Sequence, residues 1–406
     1  MDGQQRVHRR RVFYVPGYDP FPPRRYREFY RKEGAAQAAI SGYSLSLQAE
    51  APGRGAYVWR VETQIGGRET EARVQVLVWS DLVQASMRRN IPGAYALMVR
   101  TLWIFLSTGA LAAMLRLRPK SILTGAWPVA MLTAQLLLAL AAAALLWRLV
   151  AALVGGWAGQ ALGLALAAAA LAAVLVLFRR LDAKLFAYYL LYDFAQVAAH
   201  RGGYGAALQA RLDGFVDEVA AALTEGHDEV LVVGHSSGAA LAVSLAAAVE
   251  RRGLPEGGAP PLALLTLGQA IPMQAFLPEA KGLRADLQQL AASRAVTWVD
   301  VTAQGDGVCF WLTDPPAVCG VVPADRTGPL VFSAAFSQTV SREKWKKIRR
   351  QFFRLHIQYL AAFERPRDYD YFQITAGPVL LADRYRNRAP SPQVERRVFS
   401  PHRSVK

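Results

Sequence analysis

The sequence predicts a doubly wound α/β sheet that is interrupted by a hairpin of two apolar helices. Short β-branched runs alternate with helical runs along the chain, a pattern typical of a sheet with helices on both faces. Two long uncharged segments, residues 121–147 and 149–178, stand in the middle of this pattern. Residues 230–233 form a strand-like run that is followed at once by Gly-His-Ser-Ser-Gly and a helix-like run.

Before the uncharged segments, four runs are typical of strands, and the polar segment between the first two indicates a helix. The four runs are RVFYV (11–15), GYSLSLQ (42–48), AYVWRVE (56–62) and EARVQVLVW (71–79). After the uncharged segments, helices are predicted near 183–200, 206–223 and from residue 237 onward, and strands at 230–233, 262–268 and 295–301.

These elements divide the chain into five parts. Residues 1–94 and 179–386 are predicted to be two parts of one α/β domain. Residues 95–120 form an apolar interfacial segment, and residues 121–178 form the helical hairpin. The last part, residues 387–406, is rich in Pro, Arg and Ser and is predicted to be a flexible basic tail.

The hairpin has the length and composition of a pair of membrane spans. Its uncharged segments contain 27 and 30 residues, and a helix needs about 20 apolar residues to cross a bilayer. Gly155, Gly159 and Gly163 are four residues apart, so they lie on one helix face and allow close helix packing. The alternative is that these glycines simply mark the turn between the two helices.

Basic residues flank the hairpin on both sides. Arg116, Arg118 and Lys120 precede it, and Arg179, Arg180 and Lys184 follow it. Because such residues concentrate on the cytoplasmic side of membrane spans, both ends are predicted to face the cytoplasm. The expectation is an integral protein of the inner or plasma membrane with its α/β domain in the cytoplasm. No secretory signal is expected, since the apolar run after the basic start RVHRRR is very short.

Residues 95–117 are also apolar, apart from Arg100 and Arg116. One sheet built from both sides of the hairpin requires an even number of membrane crossings. Residues 101–115 are therefore predicted to lie in the membrane interface near the mouth of the site. Whether they span the membrane or lie on it stays open at this point.

The chain is strongly basic, with a formal net charge of +16. It contains no recognisable nucleic-acid module, so nucleic acid is not predicted as a partner. Attraction to anionic lipid headgroups explains the charge, which makes the lipid bilayer the predicted partner. The two cysteines, Cys309 and Cys319, form neither a C-x-x-C pair nor a cluster with histidine, so neither a metal nor another cofactor is predicted.

The Gly234–Gly238 pentapeptide joins a predicted strand to a predicted helix, with Ser236 at its centre. So abrupt a turn strains the backbone, and glycines two residues to either side remove Cβ atoms that would clash. In this setting the G-x-S-x-G pattern resembles the nucleophile elbow of the α/β-hydrolase superfamily, and of its lipases and esterases in particular. The resemblance implies Ser236 as nucleophile, followed along the chain by an acid and then a histidine.

Elimination leaves one histidine in that order. His8, His200 and His227 precede the elbow, and His235 lies inside it with its side chain expected to point away from the serine hydroxyl. His402 falls in the predicted tail. His356 follows the last predicted strand, where the resemblance implies the base. The alternative is a purely structural histidine on an aromatic helix.

The resemblance implies an acid on the loop after the penultimate strand. Asp306 lies between two glycines on that loop and is the preferred candidate, because a carboxylate there reaches across to a histidine. Asp300, within the predicted strand, and Asp314 and Asp325 further on stay open as alternatives.

An acyl-transfer enzyme also needs two N–H donors for the oxyanion. Ser237, which follows the nucleophile, is predicted to supply one from the start of its helix. The resemblance places the second in the loop after the first central strand, where Pro16-Gly17-Tyr18 occupies the position of His-Gly-X in many lipases. Tyr18, or alternatively Gly17, is the predicted donor.

Together these features predict a membrane-anchored serine hydrolase that cleaves carboxylic esters, with lipid acyl esters as one substrate class. One alternative is a non-catalytic membrane scaffold or binding protein that retains the hydrolase fold. Another is a surface binder of lipid or nucleic acid driven by the basic charge. The sequence does not tell whether the protein has protein partners.

Overall fold

The protein forms one mixed β-sheet with helices on both faces, as seen in a computed structural model that describes residues 6–50, 57–255 and 260–406. Within these residues, eight strands make up the sheet: β1 (Arg9–Val15), β2 (Ser44–Ala49), β3 (Tyr57–Ile65), β4 (Arg68–Val76), β5 (Glu229–His235), β6 (Leu262–Leu267), β7 (Val296–Thr302) and β8 (Leu330–Ser333). Their order is β2-β3-β4-β1-β5-β6-β7-β8. The β2–β3 and β3–β4 pairs are antiparallel and the other pairs are parallel. The predicted α/β class is confirmed.

Alternation along the central strands divides the core into two layers. In β1, Val12 and Tyr14 pack into one buried cluster, and Phe13 and Val15 pack into the cluster on the opposite face. All seven residues of β5 are buried, as expected for a parallel strand covered by helices on both sides. This double burial explains why the central strands read as continuous apolar runs in the sequence.

The helices lie in three groups along the chain. Those before the hairpin are α1 (Arg24–Ser41), α2 (Ser80–Ser86), α3 (Ile91–Ser107), α4 (Ala110–Leu117) and α5 (Pro119–Gly125). The hairpin consists of α6 (Trp127–Val154) and α7 (Gly156–Arg180). After it come α8 (Asp182–Leu185), α9 (Ala187–Ala199), α10 (Ala206–Ala222), α11 (Gly238–Arg252), α12 (Ile271–Ala275), α13 (Lys281–Ala292), α14 (Pro315–Cys319), α15 (Phe336–Thr339), α16 (Arg342–Ile348), α17 (Phe352–His356), a 3₁₀ helix (Gln358–Leu360), α18 (Tyr371–Ala376) and α19 (Leu381–Tyr385).

The hairpin helices project apolar side chains outward. In the described residues, two helical stretches are long and apolar enough to cross a membrane, Pro119–Val154 and Gly156–Arg180. On their outer faces Leu145 is 71% exposed and Trp157 is 85% exposed. Where the helices meet, a Cβ on Gly163 would lie 2.8 Å from Cδ1 of Trp147. The glycine therefore permits close packing of α6 and α7, in addition to the turn at Gly155.

The apolar segment before the hairpin is bent. Helices α3 and α4 meet at an angle of 74° across a short break, so together they have the form of a broken span or a re-entrant loop. The described chain thus holds two helices suited to crossing a membrane, or three if the bent pair is one span.

The C-terminal residues differ from the predicted flexible tail. The N–H of Glu395 donates to the carbonyl of Leu312 (2.8 Å), and the N–H of Phe399 donates to that of Val318 (2.9 Å). Further on, Arg284 Nε donates to the carbonyl of Ser404 (2.7 Å). Backbone hydrogen bonds to distant loops thus hold residues 387–406 against the domain, an arrangement that their Pro- and Arg-rich composition does not reveal.

Candidate active site

Ser236 lies at the sharp turn between β5 and α11, with a backbone φ of 60°. This left-handed conformation is strained for a residue with a side chain and is tolerated where the surroundings enforce it. Both glycines of the motif are sterically required. A Cβ on Gly234 would lie 2.5 Å from Cβ of Ala242, and one on Gly238 would lie 2.3 Å from the carbonyl oxygen of Pro16.

The turn after β1 packs directly against this serine. A Cβ on Gly17 would lie 2.9 Å from Cβ of Ser236 and 3.4 Å from its Oγ. Because β1 and β5 are adjacent parallel strands, the loops that follow them lie next to each other at the carboxyl ends of the strands.

Asp306 and His356 are brought together by the loop after β7 and by helix α17. His356 Nδ1 lies 2.8 Å from Oδ2 of Asp306. The same carboxylate oxygen accepts a hydrogen bond from the Tyr359 hydroxyl (3.1 Å), and Oδ1 accepts one from the N–H of Val308 (2.9 Å). Burial acts to raise the pKa of Asp306, but His356 and the hydrogen bonds from the Val308 N–H and the Cys309 thiol hold it below its usual value.

The second ring nitrogen of His356 has a different environment. Nε2 is buried and has no hydrogen-bond partner among the described residues, so the Ser236 hydroxyl is not bonded to it in this structure. A buried nitrogen without a partner is costly, so Nε2 is available for a further hydrogen bond. Catalytic hydrogen bonds often tighten only when substrate is bound.

His235 packs against His356 and hydrogen-bonds to its backbone. Its Nε2 donates to the backbone carbonyl of His356 (2.8 Å), and the two rings lie 4.7 Å apart between centroids. Burial and the nearby His356 lower the pKa of His235 to about 3, so this ring is neutral at physiological pH. Because His235 immediately precedes Ser236, this contact also fixes the position of His356 relative to the turn that carries Ser236.

The other candidate acids lie away from His356. Asp300 is buried in β7, where it accepts a hydrogen bond from Thr266 Oγ1 (2.5 Å), and burial raises its pKa to about 8. Asp314 caps α14 and pairs with Arg326, and Asp325 is exposed. Asp306 is thus the candidate that reaches the histidine.

The predicted oxyanion donors Tyr18 and Ser237 contact each other. The backbone N–H of Tyr18 donates to Oγ of Ser237 over 2.8 Å. An oxyanion that uses this N–H therefore has to share it with the Ser237 hydroxyl or displace that hydroxyl. Gly17, the alternative donor, lies against Ser236 as described above.

A carboxyl group that the sequence does not single out lies in the same cavity as Ser236. Asp193, on α9, lines the same cavity as Ser236 and interacts with the Ser237 hydroxyl. Burial raises the pKa of Asp193 to about 7, although His356 and the hydrogen bond from Ser237 oppose the shift. No local motif marks this residue, because its role depends on how α9 folds back over the elbow.

The cavity above Ser236 has a volume of about 200 Å³ and a predominantly apolar lining. Its lining comes from the bent pair α3–α4, from the start of the hairpin, from α9 and from the loops after β6 and β7, and includes Phe105, Met114, Ile122, Pro128, Leu191 and Phe310. Among the residues described, no group of three or more His, Cys, Asp and Glu side chains is arranged to hold a metal ion.

Comparison with known proteins gives one family match. Residues 167–294, about a third of the chain, match the family described as lipase (class 3). The match includes Ser236 and ends before Asp306 and His356. No curated protein and no solved structure matched the chain. The family match, the mixed sheet with helices on both faces and the serine at the strand-to-helix turn support a lipase-type ester hydrolase with an α/β-hydrolase-like fold.

Proposed function

We propose that this protein is a membrane-anchored serine hydrolase that cleaves acyl esters of lipids through Ser236, His356 and Asp306. The observation that carries the proposal is the hydrogen-bonded Asp306–His356 pair. Its second ring nitrogen is buried without a partner among the described residues, and its backbone contacts His235, the residue before Ser236. A histidine oriented by a carboxylate is the arrangement that activates a serine hydroxyl.

In this mechanism Ser236 Oγ attacks the ester carbonyl while its proton passes to Nε2 of His356. Asp306 holds the ring through Nδ1 and stabilises the positive charge that forms on it. The backbone N–H groups of Ser237 and of Tyr18 or Gly17 bind the oxyanion. His356 then protonates the departing alcohol, and water releases the acyl group by the same steps in reverse.

A lipid substrate is supported by the cavity's composition and position. Its lining is predominantly apolar, and part of it comes from the start of the first membrane-spanning stretch and from the bent α3–α4 pair. An acyl chain is the substrate group that such a lining favours. Insertion of the hairpin within the hydrolase domain keeps Ser236 close to the headgroup region.

Cytoplasmic placement of the domain is supported by the basic residues at both ends of the hairpin. Arg118 and Lys120 lie at the start of the first span, and Arg180 and Lys184 lie at the end of the second. Two spans return the chain to the side on which it started, as a single sheet requires. Epitope tags at either terminus are therefore expected to be inaccessible from outside the cell.

Labelling with a fluorophosphonate probe tests the nucleophile. The wild type and the surface control Ser46→Ala are expected to react, and Ser236→Ala is not. Asp306→Asn should retain its fold and lose activity by about 10⁴-fold, because the histidine is held in the wrong tautomer. Equal labelling of Ser236→Ala and the wild type would remove Ser236 from the mechanism, and no labelling of either would favour a non-catalytic protein.

Two further measurements test the lipid and membrane parts of the proposal. With esters of graded acyl length, kcat/KM is expected to rise with chain length in the wild type, because each added methylene enters the apolar cavity. After a high-salt wash the protein should stay in the membrane pellet and be released only by detergent. Release by salt alone would contradict the integral anchor.

A further inference from the structure

Residues 342–354, here called the basic segment, form a cationic surface that the hydrolase mechanism does not use. Six of its side chains are exposed cations, namely Arg342, Lys346, Lys347, Arg349, Arg350 and Arg354. None of the six forms an ion pair with any residue that the structure describes. Glu343 is the segment's one acidic residue, so the surface carries a concentrated, uncompensated positive charge.

The segment is anchored to the domain through Trp345 and Lys344. Cη2 of Trp345 would lie 2.7 Å from a Cβ on Gly305, so this ring packs on the loop that carries Asp306. Lys344 is turned inward, where Nζ donates to the carbonyl of Ala362 (2.7 Å) and pairs with Glu364 (3.2 Å). The six exposed cations are thus held on a fixed scaffold.

Aromatic contacts place the segment against the ends of the hairpin. The Phe353 ring lies 4.1 Å from that of Phe186, which follows the second span. Near the start of the first span, a Cβ on Gly307 would lie 2.9 Å from Oγ1 of Thr124 and 3.6 Å from Cδ1 of Phe352. Phe352 is itself 51% exposed. The segment therefore lies where both spans enter the domain, with an exposed aromatic ring among its cations.

We propose that the basic segment binds the anionic headgroups of the leaflet in which the hairpin is anchored. The inference rests on the membrane anchoring proposed above. Exposed Lys and Arg beside a membrane span are attracted to anionic lipids, and an aromatic ring at the same level is stable in the interface. A bilayer fits this surface better than RNA does, because the hairpin holds the segment at the membrane and the exposed ring is suited to an interface.

Headgroup binding at this surface acts next to the proposed base. Helix α17 starts at Phe352 and ends at His356, so the exposed ring and the histidine belong to one short helix. Through Trp345, the segment also packs on the loop that holds Asp306. Anionic lipid is therefore expected to order the part of the chain that sets the Asp306–His356 pair, and to raise ester hydrolysis by the anchored enzyme.

The test places an environment-sensitive fluorophore at position 351 of the full-length protein as Gln351→Cys, since Gln351 is exposed and Cys309 and Cys319 are buried. The protein is reconstituted into phosphatidylcholine vesicles with or without phosphatidylglycerol. Labelling after reconstitution reports the outward-facing molecules. Phosphatidylglycerol is expected to shift the emission to the blue and to protect the probe from an aqueous quencher, and high salt should reverse both effects.

Charge variants in the same background make the test specific. Lys346→Gln/Lys347→Gln and Arg349→Gln/Arg350→Gln should each raise the phosphatidylglycerol content needed for half-maximal protection by about threefold or more. The matched control, Arg9→Gln/Arg294→Gln, removes two exposed cations near the amino ends of β1 and β7, at the opposite end of the strands from Ser236. It should leave the required phosphatidylglycerol content unchanged.

Two outcomes overturn the proposal. One is an equal probe response on neutral and anionic vesicles. The other is a stronger response of detergent-solubilised protein to single-stranded RNA than to anionic lipid at equal phosphate concentration. Retention of the protein in the vesicles after an alkaline wash is measured in the same preparation. Loss at that step refutes the proposed anchor, whereas retention without a probe response refutes headgroup binding alone.

Discussion

Asp193 is a carboxyl group in a predominantly apolar cavity, and it shares that cavity with Ser236. The phenol groups of Tyr18 and Tyr189 and the ring of His356 interact with it electrostatically. Because burial raises its pKa to about 7, Asp193 changes from neutral to negative within the physiological range. In the proposed mechanism, a negative charge at this place opposes the one that develops on the acyl oxygen during attack by Ser236.

The Asp193→Asn variant tests this effect. The asparagine keeps the shape of the aspartate side chain and stays neutral, whereas Asp193 of the wild type becomes negative as the pH rises. The ratio of the variant's kcat/KM to that of the wild type should therefore rise about tenfold between pH 6 and pH 9. Two unit charges 4 Å apart near a protein surface interact by about 4 kcal/mol, which makes a tenfold effect reasonable for a longer separation. The exposed Asp213→Asn carries the same charge change and should give a flat ratio; a flat ratio for Asp193→Asn itself would remove Asp193 from the chemistry.

Among single residues, the sequence predicts best where chemistry follows from local geometry. The turn at Ser236 is recognisable from the sequence because its geometry requires glycine at both Gly234 and Gly238, within a stretch of five residues. Its loop position favours Asp306 over Asp300 as the acid, and the structure brings Asp306 to His356. Asp193 and the contact between Tyr18 and Ser237 were not predictable, because both depend on the packing of segments far apart in the chain.

At the scale of elements, the hairpin depends on the close approach of α6 and α7. Gly163 faces Trp147, where a Cβ would lie 2.8 Å from Cδ1 and 2.9 Å from the backbone oxygen. The backbone oxygen cannot move aside as a flexible side chain can. A larger residue at this position therefore has to separate the two helices.

Gly163→Leu is expected to lower the midpoint of thermal unfolding in detergent, with a destabilisation of about 1–3 kcal/mol from overpacking. Ala165→Leu adds a leucine to the same helix on its exposed face and should have little effect. Static light scattering or intrinsic tryptophan fluorescence on heating measures both. If Ala165→Leu and Gly163→Leu have the same midpoint, the glycine contact does not stabilise the hairpin.

The sequence predicts elements in proportion to the length and regularity of their patterns. The apolar helices and the buried central strands were predictable because their residues form long uniform runs. Strand β8 (Leu330–Ser333) was not predicted, because four residues give too short a pattern. The 74° bend between α3 and α4 was also not predicted, since tertiary packing determines it.

For the whole molecule, the C-terminal residues connect distant parts of the domain. Arg284 is fully buried, and its guanidinium donates to the carbonyls of Ala275, Leu277, Pro278 and Ser404. Ser404 belongs to the C-terminal segment, residues 387–406. His402 Nε2 also lies 3.0 Å from the carbonyl oxygen of Thr108, between α3 and α4.

Removal of residues 398–406 is expected to destabilise the domain, because Arg284 Nε then loses its partner while the guanidinium stays buried. Loss of a hydrogen bond to a buried polar group costs about 1–3 kcal/mol, and more for a charged one. Ser404→Ala keeps the carbonyl and should match the wild type. The half-life of the esterase activity during incubation at elevated temperature measures the difference. An unchanged half-life for the truncated protein would show that these contacts contribute no stability.

The position of the hairpin between β4 and β5 sets an order for biosynthesis. Strand β1 pairs with β4 on one side and with β5 on the other. A ribosome completes β1 to β4 first and then produces both apolar helices before β5 emerges. In the proposed topology, one edge of β1 stays without a partner until both helices have entered the bilayer and the chain has returned to the cytosol. Under the same proposal, the sheet closes only after insertion is complete, and a chain with one helix left outside the bilayer cannot pair β1 with β5.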